Sequence, residues 1–121
     1  MAVRSYRDLE VWQVAMDLAE QCYRVTKGFP REEMFGMTDQ IRRAAASVPA
    51  NIAEGQGRQY TREFLNHLSI ARGSLKELET HVLLSHRVGL VKEEDLEALM
   101  SKCDRISQML TRLRQSLQQK T

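Results

Sequence analysis

Three histidines, two cysteines and one short polar stripe are the residues with which this chain of 121 amino acids could do chemistry. A helical protein holds a di-iron centre when its helices supply inward glutamates and two Glu-x-x-His motifs, since carboxylates and imidazoles must reach one ion at bond length. No Glu-x-x-His occurs. His67 and His81 fall on one helical stretch about 21 Å apart by rise, too far to share an ion, and His86 points to a different side. Cys22 and Cys103 stand singly, with no Cys-x-x-Cys or Cys/His spacing, and read as buried reduced thiols. The serines and threonines lack a glycine elbow or phosphate loop. The expectation is therefore no metal, no cofactor, no catalytic residue and no enzyme. Ser47, Asn51 and Glu54 recur at helical intervals with Arg43 and Arg58 beside Pro49, and they read as a structural polar cluster. Its expected task is to receive the carbonyl that the proline leaves without a partner and to tie this helix end to a neighbour.

The elements that must position these residues are helices. Only 2 prolines and 6 glycines punctuate the chain, which argues against a sandwich or barrel. Ser5 with Asp8 reads as a capping box opening a first helix that stops at Gly28 and Phe29-Pro30. Thr38 with Asp39 reads as the cap and first turn of a second, whose seam is Met37, Ile41, Ala44, Val48 and Ile52, with Gly55 and Gly57 as its stop. Pro49 inside it predicts a kink. Thr61 caps a third helix with the seam Phe64, Leu68, Ala71, Leu75, Leu78 and Val82, ending at Gly89. A fourth begins near Lys92, with Glu93, Glu94 and Asp95 at its positive end and the seam Leu96, Leu99, Cys103, Ile106, Leu110, Leu113 and Leu117. Short connections between long helices make neighbours antiparallel. The fold expected is all-α, an up-down-up-down antiparallel four-helix bundle with a Pro-kinked second helix, and residues 1–121 form one domain.

Composition bounds the rest. Apolar residues are 42% and charged residues 28% of the chain, values of a soluble globular protein. No run reaches the roughly eighteen apolar residues of a membrane span, and Met1 to Glu10 has no signal-peptide pattern, so the expected location is the cytoplasm. A net charge of +2 does not announce a nucleic-acid partner, but its distribution is uneven. Arg42, Arg43, Arg58, Arg62 and Arg72, and further on Arg112 and Arg114, cluster in two stretches, and arginine is the better bidentate partner for phosphate. They are the candidates for contacting RNA or DNA, against the plainer reading of a solvated face.

The first helix carries two apolar rows where one suffices for a bundle core: Leu9, Trp12, Met16, Ala19, Tyr23, and Val11, Ala15, Leu18, Cys22, Val25. The second helix adds a face of small residues, Ala46, Pro49, Ala50 and Ala53. One of these surfaces would be left wet in a monomer, so self-association is expected, with Val11, Ala15, Leu18, Cys22, Ala46 and Ala50 as its candidate interface. Another protein as the partner is the competing reading.

Particular strings are familiar: Leu9-Glu10-Val11-Trp12-Gln13, Phe35-Gly36-Met37, Gln40-Ile41-Arg42-Arg43-Ala44, Gly73-Ser74 with Glu77-Leu78-Glu79-Thr80, and above all Ser47-Val48-Pro49-Ala50-Asn51-Ile52-Ala53-Glu54-Gly55. In these, taken in order over nearly the whole chain, the sequence resembles the bacterial four helix bundle protein family, also called the 23S rRNA intervening-sequence protein family. The resemblance implies a four-helix bundle assembled as a homopentamer. Related accessory proteins of diversity-generating retroelements form similar basic pentamers that bind nucleic acid and a reverse transcriptase, and the family supplies no catalytic residue to transfer.

Overall fold

The computed structural model describes residues 4–120, so the first three residues of the stretch read for a targeting signal lie outside it. Four α-helices follow one another, α1 (Glu10–Thr26), α2 (Met37–Gln56), α3 (Thr61–Arg87) and α4 (Glu93–Gln118), with no strand among the described residues. None of these helices is long and apolar enough to cross a membrane.

Their ends differ in detail from the sequence reading. The Ser5/Asp8 capping box is present, but it closes a 3-10 turn over Tyr6–Asp8, and α1 begins only after extended Leu9. At the start of α2 Thr38 is no cap: it is buried in the first turn, while the Glu33 carboxylate accepts from the Met37 N–H at 3.2 Å. Thr61 is the first residue of α3, and Tyr60 takes the cap position without a side-chain bond. α2 continues as one α-helix past Pro49.

Gly55 is not a stop. It lies buried inside α2, and a Cβ added there would stand 2.8 Å from His67 Cβ and 2.9 Å from Phe64 Cδ1, so its missing side chain is what lets α3 approach. Gly89 does stop a helix. Its φ of 84° permits the Leu90 N–H to reach the Ser85 carbonyl at 2.8 Å and the Gly89 N–H to reach that of His86 at 3.1 Å, the paired bonds of a Schellman end.

Contacts run in reverse order along neighbouring helices. Ser47 meets Ser74, Asn51 meets His67, and Gly55 meets Phe64, so α2 and α3 are antiparallel. Arg42 reaches back to Tyr23 and Thr26 between α2 and α1, and Lys102 to Gln21 and Arg105 to Glu10 join α4 to α1. The helices thus form a closed square in which the diagonal pairs have no close backbone approach among the described residues. Leu18, Ile52, Leu68, Leu75, Leu78, Ile106 and Leu110 fill its centre.

The two rows of α1 take opposite parts from those expected. Val11, Ala15, Leu18 and Cys22 are at most 4% exposed and belong to the chain's own core, which removes them as a surface for a second copy. The other row, with Trp12, Met16 and Tyr23, is the one left partly open.

Candidate functional site

That open row builds a groove. α1 and α2 lie side by side, and where Trp12, Met16 and Tyr23 rise from α1, α2 offers only Ala46, Pro49, Ala50 and Ala53. Side chains that short cannot fill the valley, and an open, almost wholly apolar groove of about 490 Å³ remains. Met16 and Tyr23 are each 44% exposed along it. Tyr6 packs edge-on against Trp12 at one end, with ring centroids 5.1 Å apart, and the Arg42 guanidinium lies 4.5 Å over the Tyr23 ring at the other. Ala46 and Ala50 are exposed here, so of the six interface candidates these two face outward.

A polar relay crosses from α2 to α3. The Ser47 and Ser74 hydroxyls are 2.7 Å apart, and the Asn51 amide donates to Ser47 O at 2.9 Å and to Ser47 Oγ at 3.1 Å. The carbonyl taken up is thus that of Ser47, not the one Pro49 frees at Ala45. With its nitrogen committed, Asn51 presents Oδ1 to His67 Nδ1 at 3.2 Å, which assigns the ring proton to Nδ1 and leaves Nε2 as the other nitrogen. Glu54 stands 3.7 Å from the same Nδ1, largely exposed. The other two histidines pair with acids: His81 with Glu77 at 3.2 Å, and His86 with Glu93 at 2.8 Å across the α3–α4 turn.

The seven candidate arginines do not form one patch. Arg42 Nε donates to Thr26 Oγ1 at 2.9 Å, Arg43 pairs with Asp39 at 2.9 Å, and Arg72 donates to Thr111 at 3.3 Å, so these three already have partners within the chain. Arg58, Arg62, Arg112 and Arg114 have no ion pair or hydrogen bond from their side chains among the described residues. Arg58 and Arg62 line one cavity of about 420 Å³ with Glu63, Asn66 and His67. A neighbouring cavity of about 550 Å³ is lined by Tyr60, Thr61, Arg62 and Glu63.

With this geometry in place, residues 7–112 match the 23S rRNA-intervening sequence protein family. The chain belongs to that family. A crystal structure of a protein of unknown function from the S23 ribosomal protein family of Bacteroides thetaiotaomicron is similar, with a TM-score of 0.81 and 26% identity over 87% of this chain and 95% of that one. No curated protein matches the sequence. The family assignment brings no catalytic role to any residue here.

In this member of the 23S rRNA-intervening sequence family, both cysteines are buried and free. Burial pushes the Cys22 thiol up to about 12 against the pull of Lys102, and burial, followed by the charge of Glu79, pushes Cys103 up to about 12 as well. Folded-state values above the unfolded ones mean that the contribution of these thiols to stability is whole below about pH 9 and is lost as pH rises towards 12. Ellman's reagent at pH 8 should accordingly leave both thiols untouched in the folded protein and titrate both in denaturant.

Tyr60 has no place among the sequence-predicted residues, and the α1 row expected at an interface is the one that the fold buries. Signals for both were present. Arg58-x-Tyr60-x-Arg62 interleaves base and aromatic, and Trp, Met and Tyr are the residue types enriched where proteins meet.

Proposed function

We propose that this protein is a non-enzymatic helical bundle that assembles with copies of itself, as a pentameric ring in keeping with the family resemblance, and acts in the cytoplasm as a scaffold that holds RNA or DNA. The apolar groove between α1 and α2 carries the reading. Trp12, Met16 and Tyr23 stand over a floor of alanines, a combination of large anchors and close-approach residues that suits the insertion of another helix. A face that accepts a different face of the next copy generates a ring when the rotation closes. At +2 per chain, five copies carry about +10, and repeated weak phosphate contacts gain by effective concentration what a single copy lacks.

Sedimentation at micromolar concentration tests this. The wild type is expected to run as a multiple of 14.0 kDa and Ala50→Glu, which places a charge on the groove floor without touching the core, as 14.0 kDa. A wild-type particle of 14.0 kDa would end the ring reading and leave the groove to a helix from some other protein.

A further inference from the structure

We infer that the cavities at the α2–α3 turn form a binding site for a nucleotide unit with an unpaired base, its phosphate between Arg58 and Arg62 and its base on Tyr60. The inference rests on the nucleic-acid part of the proposed function and gives it a place and a chemistry. Arg58 and Arg62 are exposed cations whose side chains have no partner among the described residues, a state shared with Arg112 and Arg114, and the two line one hollow together. Unspent guanidinium forks lining one hollow suit the oxygens of a phosphate.

Tyr60 makes the site more than a phosphate holder. Tyr60 is 62% exposed and lines the adjoining cavity, and Arg62 lines both hollows, so a cation and an aromatic side chain border the same space. Tyrosine rings that stand free beside arginines are stacking platforms for bases, and a base can reach one only when it is not paired in a duplex. Glu63 also lines both hollows. A carboxylate repels a bare phosphate but accepts from a sugar hydroxyl or a base amino group, which favours a nucleotide over inorganic phosphate. Asn66 adds an amide, and His67, its Nδ1 held by Asn51, adds the wall nearest the relay.

The test uses the full chain, a labelled single-stranded RNA decamer, the duplex of the same sequence, and AMP as competitor, with circular dichroism confirming the fold of each variant. Tyr60→Ala is expected to weaken the single strand by about fivefold or more and to change duplex binding little. R58E/R62E is expected to weaken the single strand by about tenfold or more and to reduce the salt dependence of its binding by roughly one unit of slope. The same charge change at R112E/R114E is expected to cost less than about threefold. Competition by AMP would show that the free nucleotide suffices, and its absence beside decamer binding would place the ligand on a strand; both support the site. Decamer binding that falls no further in R58E/R62E than in R112E/R114E would overturn the site while the nucleic-acid reading stands. Loss in R58E/R62E with none in Tyr60→Ala would overturn the nucleotide in favour of bare phosphate. Failure of every RNA, and of a single-stranded DNA decamer of the same sequence, to bind would overturn both readings.

Discussion

Replacing Leu18 with alanine is expected to cost the fold about 2–5 kcal/mol, while Met16→Ala costs less than about 1 kcal/mol. The two residues lie one turn apart or less on α1, and both are apolar. Leu18 is fully buried, so truncation leaves a cavity that the three surrounding helices can only partly close. Met16 borders the open groove, so one face of its side chain has no contacts within the chain to lose when it is shortened. Urea unfolding of both variants in the Ala50→Glu background, where the proposed assembly is expected to be absent, measures the difference in chain stability alone. Under the proposed self-association, sedimentation of the two single variants in the otherwise wild-type chain is expected to give the complementary ordering, with Met16→Ala dissociating more readily and Leu18→Ala not. A Leu18 variant that dissociates without losing chain stability would return the interface to the row that the structure places in the core.

The second large effect is expected at Gly55. Alanine is the better helix former by about 1 kcal/mol, and at an open position that gain would be realised. At Gly55 the new methyl would have to occupy space held by His67 Cβ, the Phe64 ring and, at 3.2 Å, the Phe64 backbone oxygen. Two of these three are not the ends of flexible chains, so α2 and α3 must part, and Gly55→Ala is expected to lower stability by a net of about 1–3 kcal/mol. Gly73 supplies the internal comparison. It lies exposed in the middle of α3 with nothing within 4 Å of an added Cβ, and Gly73→Ala is expected to stabilise by about 0.5–1 kcal/mol. Equal and favourable effects at both glycines in thermal or urea unfolding would refute the close approach at Gly55.

The same pair shows what a linear reading misses. A glycine near the end of a helical pattern looks like a stop, and Gly57 is one; Gly55, two residues earlier, serves the opposite purpose because a neighbouring helix crosses there. Thr38 errs in the same way. It has the right side chain for a cap, but a 3-10 turn over Arg31–Glu33 ahead of α2 brings the Glu33 carboxylate to the free Met37 N–H first, and the threonine is folded inward. Caps are contests between nearby acceptors, and only the path of the chain decides them.

The four helices, their order and their antiparallel run were legible because apolar residues recurring every three or four positions can only be buried on one side of a helix, and short connections leave no freedom in where the next helix goes. The polar relay of Ser47 and Asn51 was legible as a cluster for the same periodic reason, while its partners, Ser74 and His67 on α3, were not. Periodicity identifies faces but does not orient them. α1 has two apolar rows about a quarter turn apart, and nothing along the chain says which is turned inward; the positions of α2 and α4 around it do, and they bury the Leu18 row. The arginines follow the same division. Their number and clustering belong to the sequence, but whether each is spent on Asp39, Thr26 or Thr111 or, like Arg58 and Arg62, left without a partner among the described residues depends on side chains brought close only when the bundle closes.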